Sequence, residues 1–419
     1  MDIESLAEKA QNIIDREAAT SPSIKKILGV VEEFIQESRV LCYGGTAINN
    51  LLPEKNRFYD PNYDIPDYDF YSETPQIHAM RLADRFHVLG FQNIEVKPGT
   101  HLSTFKVFVD FTGVADITFL ESPIFKKLWN ENIVRNKIHY VSPNFLRMSM
   151  YLELSRPKGD VSRWTKVYKR LMLLNKEYPV GCVPSNEVNP ELATNDRDVL
   201  DRFFRTKQVI LLGIHAEDIH SGSRSNLWHI PVDILVTPEH FEEYALHISE
   251  LFGNRTKVVA REKYAELLPK HADIIEKSTG KLMVRVFETM ACHSFHEMQN
   301  GIRVASIPTL LQFFFAFVYA DAHFLEGFDA NRLVCIAQRL VDLANHAGQR
   351  KYELLTPLEC LGKQETLQDM KAETQALRNK TTKKSPDFLR FFFKYDPKKM
   401  TRKQKMALRK RLRKTLKQH

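Results

Sequence analysis

The chain has 419 residues, 43% of them hydrophobic and 27% charged, which allows two or three domains with ordinary cores and excludes a disordered or collagen-like protein. The longest apolar run, "LLQFFFAFVYA" at 310–320, is about half of a bilayer span, so the sequence predicts a soluble protein. The formal net charge is +8, but positions 398–419 hold eleven Lys and Arg and no acidic residue, which leaves the rest of the chain net acidic.

The opening "MDIESLAEKAQ" is acidic with helical spacing and reads as a helix, not a signal peptide. In "SPSIKKILGVVEEFI", Ser21 is placed as an N-cap and Pro22 in the first turn. Ile24, Ile27, Leu28, Val31, Phe34 and Ile35 then recur at helical spacing. That amphipathic helix leads into a short strand, "RVLCYGG", and Thr46 opens a second helix, "AINNLL". Gly44 and Gly45 let the backbone approach closely, and the N–H groups of a helix start suit a phosphate. Alone, a Gly-Gly pair is more often only a turn.

"IPDYDFYS" follows. Asp67 and Asp69 are two residues apart in an extended segment, so their side chains share a face. Two like charges about 4 Å apart repel by about 4 kcal/mol at an effective dielectric near 20, a cost that a bound cation would reverse. Thr74-Pro75 begins a further helix that runs to Gly90. "GTHLSTFKVFVDF" and "VADITF" read as two strands around Gly113, with Asp116 opposite the core face formed by Ala115, Ile117 and Phe119. Asp60, Asp64 and Asp110 are spare carboxylates nearby. The order is strand, Gly-Gly-Thr, helix, strand with Asp-x-Asp, helix, strand with a third Asp. It suits two hard cations clamping a phosphoryl transfer, with Asp67, Asp69 and Asp116 as ligands of Mg²⁺ or Mn²⁺. Farther on, "KGDVSRWTKVYKRLMLL" predicts a helix with an apolar stripe of Trp164, Val167, Tyr168 and Leu171. Arg163, Lys166 and Arg170 form its basic face, with Lys169 beside them.

Taken together, "YGGTAINNLLP", "FYDPNYDIPDYDFYS", "VADITF" and "MYLELSRPKGDVSRWTKVYKRL" resemble the poly(A) polymerase catalytic subunits of large cytoplasmic DNA viruses, within the DNA polymerase β-like nucleotidyltransferases. The resemblance covers roughly 24–180 and extends more loosely to about 320. It implies template-independent addition of adenylates from ATP to the 3′ end of viral mRNA by two-metal-ion catalysis. It implies Gly44, Gly45 and Thr46 as the triphosphate turn and Asp67, Asp69 and Asp116 as catalytic metal ligands. In the family the basic helix would close over the nucleotide, which makes Arg163, Lys166, Lys169 and Arg170 cofactor-binding candidates. The implied partners are an RNA 3′ end, ATP, and either a second copy or a processivity subunit, without a membrane. The implied location is host cytoplasm or virion. Two rivals stand beside this reading: a nucleotidyltransferase acting on tRNA, protein or a small molecule, and a non-catalytic RNA-binding scaffold.

The second half carries an echo of the first. "VLCYGGTAI" aligns with "VILLGIHAE", "IPDYDFYSETP" with "IPVDILVTP", and "ADITFLE" with "ACHSFHE". On this alignment Asp67, Asp69 and Asp116 meet Val232, Ile234 and Cys292, and Asp233 survives alone. The expected fold class is therefore α+β: a duplicated polymerase β-like fold with an active N-terminal copy, a degenerate C-terminal copy and helical segments between. The expected divisions are a catalytic domain (1–141), a helical nucleotide- or RNA-contacting segment (142–200), a degenerate domain (201–362), and a polar linker with a basic tail (363–419). The tail fits nucleic-acid binding, nuclear import or mere solvation. The five cysteines show no paired spacing, as a reducing compartment permits. Cys292, His293 and His296 lie together without a second cluster to complete a zinc site.

Overall fold

The computed structural model describes residues 2–184, 189–207, 209–222, 228–298, 300–320, 324, 329–346, 357–383 and 385–416. The chain forms two compact units, Met1–Ser142 with Leu367–His419, and Pro143–Thr366.

The first unit begins with helices α1 (Ile3–Thr20) and α2 (Pro22–Glu37), then β1 (Leu41–Tyr43) and α3 (Gly44–Leu51). It continues with β2 (Asp69–Ser72), α4 (Pro75–Val88), β3 (Glu95–Pro98), β4 (Thr104–Val109), β5 (Thr112–Phe119), α5 (Ser122–Asn130), β6 (Ile133–Arg135) and β7 (Ile138–Tyr140). The strands form one mixed sheet in the order β3-β4-β5-β2-β1-β7-β6. The helical spacing of α2 has its physical basis in one buried face of Ile27, Val30, Val31, Phe34 and Ile35. With α4 it packs on the sheet, where Phe70, Phe105, Val107 and Ile117 are fully buried. Ser21 and Thr74 precede their helices as expected, yet neither side chain makes a capping hydrogen bond; each is followed by proline at the first turn.

The second unit contains α6 (Pro143–Leu154), α7 (Trp164–Glu177), α8 (Thr194–Thr206), β8 (Ile210–Leu211), α9 (Gly213–Ser221), β9 (Val232–Val236) and α10 (Phe241–Leu251). Then come β10 (Thr256–Arg261), β11 (His271–Glu276), β12 (Leu282–Glu288), β13 (His293–Glu297), β14 (Arg303–Ala305), α11 (Ile307–Tyr319), α12 (Ala330–His346) and β15 (Cys360–Leu361). Its sheet runs β10-β11-β12-β9-β8-β14-β13-β15. Apart from the added β15, this repeats the first sheet strand for strand. Each junction keeps its direction: β2 with β5 and β9 with β12 are parallel, while β1 with β2 and β8 with β9 are antiparallel. The duplicated α+β fold is thus present in both units.

Three expectations need correction. The counterpart of β5 is β12, not the 291–297 segment, which forms β13 at the far side of the sheet. The short apolar match misled because strand equivalence is set by pairing partners, which a local alignment does not contain. Next, the segment expected at 142–200 belongs to the second unit from Pro143 on, and the stretch expected at 363–419 is, from Leu367 on, not a linker with a tail. Its α13 (Leu367–Lys380), α14 (Pro386–Phe391) and α15 (Arg402–Leu416) return to the first unit. Tyr395 exchanges two backbone hydrogen bonds with Val96 on β3. Lys405 and Arg409 of α15 reach Asp84 of α4 at 2.6 and 2.8 Å, and Leu412 is buried. The basic run thus has a distant acidic partner. Lys417 lies outside the described residues. Finally, Cys182 pairs with Cys335 and Cys292 with Cys360, separations of 153 and 68 residues that no local spacing reveals. Cys42 keeps a buried thiol. Among the described residues no helix is long and apolar enough to cross a membrane.

Candidate active site

The candidate site is built on the face of the first sheet opposite α2 and α4. On β2, Phe70 and Ser72 are buried while Asp69 and Tyr71 point to the other face. In β5 the same alternation buries Ala115 and Ile117 and turns out Asp116 and Thr118. Parallel pairing sets Asp69 directly beside Asp116. Asp67 precedes the strand rather than sitting in it, and it is exposed. It remains close enough for its charge to act on Asp116 and on Lys106.

The Gly-Gly-Thr turn lies against these carboxylates. Tyr43, the last residue of β1, is in register with Asp69. Gly44 follows with φ +73°, and a Cβ there would lie 2.6 Å from Asp69 Oδ2. Glycine is required twice over, by the left-handed backbone and by the approach of the carboxylate. Thr46 is buried, and its Oγ1 donates to the Asp67 carbonyl at 2.7 Å. That bond ties the turn to the Asp-x-Asp segment. The aromatic rings of Tyr43 and Tyr71 stack at 3.9 Å, and Tyr43 is hydrogen-bonded to Thr118. This floor holds the two strands in one plane.

The sequence reading missed Lys106. It lies on β4 opposite Asp116, and its Nζ is 2.5 Å from Asp116 Oδ2. Burial raises the Asp116 carboxyl above its ordinary range, and the Lys106 ammonium opposes that rise. Burial lowers the Lys106 ammonium, but hydrogen bonding to Asp116 and the charges of Asp116, Asp67 and Asp69 outweigh it and raise it. All three carboxylates therefore act on one ammonium. Hairpin arithmetic around the 110–111 turn comes within one residue of this pairing. A bulge between Val107 and Phe108 supplies the missing residue. Asp60 and Asp64 instead close a local turn: Asp64 Oδ2 accepts the Asp60 N–H at 2.8 Å, and Asp60 Oδ1 accepts from Asn62. Asp110 sits at the β4–β5 hairpin tip with φ +47°.

Asp67, Asp69 and Asp116 offer the oxygen donors that a hard divalent cation takes, and the Lys106 ammonium stands at Asp116. Among the described residues, however, no group of three or more His, Cys, Asp or Glu is gathered as a ready ligand cluster.

The second unit shows the same frame with altered chemistry. Gly213 has φ +67°, and its absent Cβ would meet Asp233 Oδ2 at 2.7 Å. Asp233 therefore holds the place of Asp69, one residue away from the expected correspondence. Its partner across the parallel junction is Arg285, where the first unit has Asp116. On the next strand Asp273 stands where Lys106 stands. The row Lys106–Asp116–Asp69 has become Asp273–Arg285–Asp233. Arg285 is buried and binds Asp233 through Nε and Nη2 at 2.9 and 3.1 Å. A guanidinium fixed to the chain sits beside the retained carboxylate. Cys292, expected to answer Asp116, is elsewhere: it is in a disulfide, and both ring nitrogens of the neighbouring His293 are buried.

Of the basic-helix candidates, Arg163 is engaged by Glu153, Nε to Oε2 at 3.1 Å. Lys166 and Lys169 are exposed and Arg170 half-buried on α7, which belongs to the second unit. Tyr168 is 43% exposed, so it leaves the predicted apolar stripe. Leu174 replaces it in the buried face.

Residues 29–160 match the family model for the poly(A) polymerase catalytic subunit. That match covers 132 of the 419 residues. Relatives provisionally named poly(A) polymerase catalytic subunits include one from African swine fever virus (isolate Pig/Kenya/KEN-50/1950), 31% identical over 182 residues. That alignment covers 42% of this chain and 38% of the relative. One from Acanthamoeba polyphaga mimivirus is 30% identical over 160 residues, 37% of this chain and 27% of the relative. The aligned part thus spans well under half of these poly(A) polymerase relatives. The crystal structure of the Megavirus polyadenylate synthase superposes with a TM-score of 0.78 at 18% identity. It covers 99% of this chain and 89% of that one. The two share a fold.

Proposed function

We propose that the chain is a template-independent polynucleotide adenylyltransferase that extends the 3′ end of viral mRNA with adenylates from ATP. The observation that carries this reading is the pairing of Asp69 with Asp116 beside Gly44, inside the segment that matches the poly(A) polymerase family model. Asp67, Asp69 and Asp116 would hold two divalent cations, Mg²⁺ or Mn²⁺, which would lower the pKa of the attacking hydroxyl and stabilise the leaving pyrophosphate. Gly44 and Gly45 would present backbone N–H groups of the α3 N-terminus to phosphate oxygens. Thr46 holds the Asp67 segment to that turn through its bond to the Asp67 carbonyl. Asp116, whose burial favours its protonated form, accepts the proton of the RNA 3′-hydroxyl at a carboxylate oxygen. Tyr43 and Tyr71 keep the two carboxylate strands in one plane. Arg163, Lys166, Lys169 and Arg170, a basic cluster of the second unit, are kept as the nucleotide-binding candidates that the family resemblance implies. The second unit, with Arg285 opposite Asp233, serves as a metal-free scaffold. The expected setting is host cytoplasm during infection or the virion, with RNA and a second copy or processivity subunit as partners.

The test is incubation of the protein with an RNA primer, Mg²⁺ and each nucleoside triphosphate separately. A ladder with ATP alone supports the proposal. Ladders of equal length with all four, or none under any condition, reject it. Asp116→Ala should abolish extension while sparing ATP binding more than Asp67→Ala does; equal loss of both functions in both variants rejects the proton-accepting role.

A further inference from the structure

The β4–β5 hairpin of the first unit closes with a two-residue turn, Asp110-Phe111, both in the left-handed region at φ +47° and +68°. Such a turn favours Asn-Gly or Asp-Gly, since a bulky side chain at positive φ is strained. In the second unit the corresponding β11–β12 connection uses glycine at positive φ, Gly280 at +72°. The first unit instead keeps a phenylalanine, a residue that is 84% exposed. A strained and exposed aromatic residue at a hairpin tip points to a contact made outside the fold.

Phe111 borders a recess of about 330 Å³ whose lining includes Phe91, Phe108, Lys97, Lys398 and Lys399. That volume is at the lower end of small-ligand sites, about 300–1,000 Å³. Two of the lysines are partly neutralised, Lys97 by Glu95 and Lys399 by Asp396. The positive balance comes from exposed Lys398 and from α15, which starts a few residues on. Arg402, Lys403, Lys410, Arg413 and Lys414 are exposed along that helix. Lys403, Lys410 and Lys414 share one stripe at helical spacing. Aromatic rings beside a basic track are the two elements with which proteins hold single-stranded nucleic acid without reading its sequence. Phe111 lies five residues from Asp116 along β5, about 17 Å at the rise of an antiparallel strand.

We propose that the Phe111 hairpin tip, the recess beside it and the exposed face of α15 form a binding site for single-stranded RNA. One base stacks on Phe111, and phosphates lie along Lys398 and α15. The site rests on the adenylyltransferase reading for its RNA substrate. It goes beyond that reading by assigning a track in the first unit that contains no catalytic residue.

The experiment measures fluorescence anisotropy of a labelled oligoadenylate with the full chain, over a range of salt. Phe111→Gly relieves the strained turn, so its melting temperature should be equal or higher while affinity falls between about fivefold and a hundredfold. Lys398→Ala with Lys403→Ala should reduce the slope of log affinity against log salt by about 0.7 for each phosphate that is no longer neutralised. Unchanged affinity in Phe111→Gly, or an unchanged slope in the lysine variant, overturns the proposal. A Phe111→Gly protein that keeps RNA affinity but loses self-association in sedimentation also overturns it, and marks the hairpin as a protein contact. If primer extension fails while RNA binding still depends on Phe111, the enzymatic reading falls and this site stands.

Discussion

Gly44 and Gly213 occupy the same place in the two copies, and replacing each with alanine separates catalysis from stability. At both positions φ is close to +70°, where an L side chain costs about 1–2 kcal/mol. At both, the new Cβ lies 2.6–2.7 Å from an aspartate oxygen, so the carboxylate must move. The consequences then diverge. Asp69 is part-exposed, and its Cγ and Cβ lie 3.4 and 3.5 Å from the new methyl against 3.2 and 3.1 Å for Asp233, so it needs the smaller movement. Asp233 is buried in a two-point pair with Arg285, and moving it disturbs that pair. Breaking a buried pair outright costs about 3–5 kcal/mol, so partial loss places Gly213→Ala above Gly44→Ala in destabilisation, roughly 3 against 2 kcal/mol. Activity should reverse the order. An ångström of misplacement at a reacting centre costs about a hundredfold, so Gly44→Ala should lose about that much adenylate incorporation. Gly213→Ala should keep its rate at temperatures where it is folded. Chemical denaturation gives the first quantity and initial rates of ATP incorporation the second. Equal loss of activity in the two variants, or full activity in Gly44→Ala, would refute the assignment of chemistry to the first copy.

Arg285→Ala should destabilise by about 3–5 kcal/mol because it removes one half of the buried two-point pair with Asp233, whereas Arg285→Met with Asp233→Leu should cost less in the same denaturation assay. Lys106→Met removes the ammonium at Asp116. Mn²⁺ titration followed by electron spin resonance should then show tighter binding than in the parent, and weaker binding would mean that Lys106 assists the ion. Acid stability should be governed by buried histidines: burial lowers His78 and His215 to about 4 and His293 to about 3. Their folded pKa values lie below the ordinary 6.5, so the contribution is complete above that pH and is lost as pH falls from 6.5 toward 4. Each adds a slope of about 1.4 kcal/mol per pH unit. His293→Leu should flatten the melting temperature against pH over that window, and an unaltered curve would show that His293 is protonated in the folded protein.

The sequence by itself determined what depends on neighbours along the chain. The period of α2, the alternation in β5, the strand-to-glycine turn at Gly44 and the three candidate carboxylates are all local patterns, because side-chain direction follows from backbone geometry within a few residues. The duplication was legible for the same reason, since Gly44 with Gly213 and Ala47 with Ala216 sit in matching local frames. Tertiary structure decided which residues face each other across strands. That Arg285 rather than Cys292 answers Asp116, that Asp233 holds the place of Asp69, that Lys106 pairs with Asp116 across a bulge, and that α15 docks on Asp84 are facts of register and long-range packing. A one-residue shift in register turns every side chain to the opposite face, so a short alignment that is right about the strand can still be wrong about the chemistry it presents.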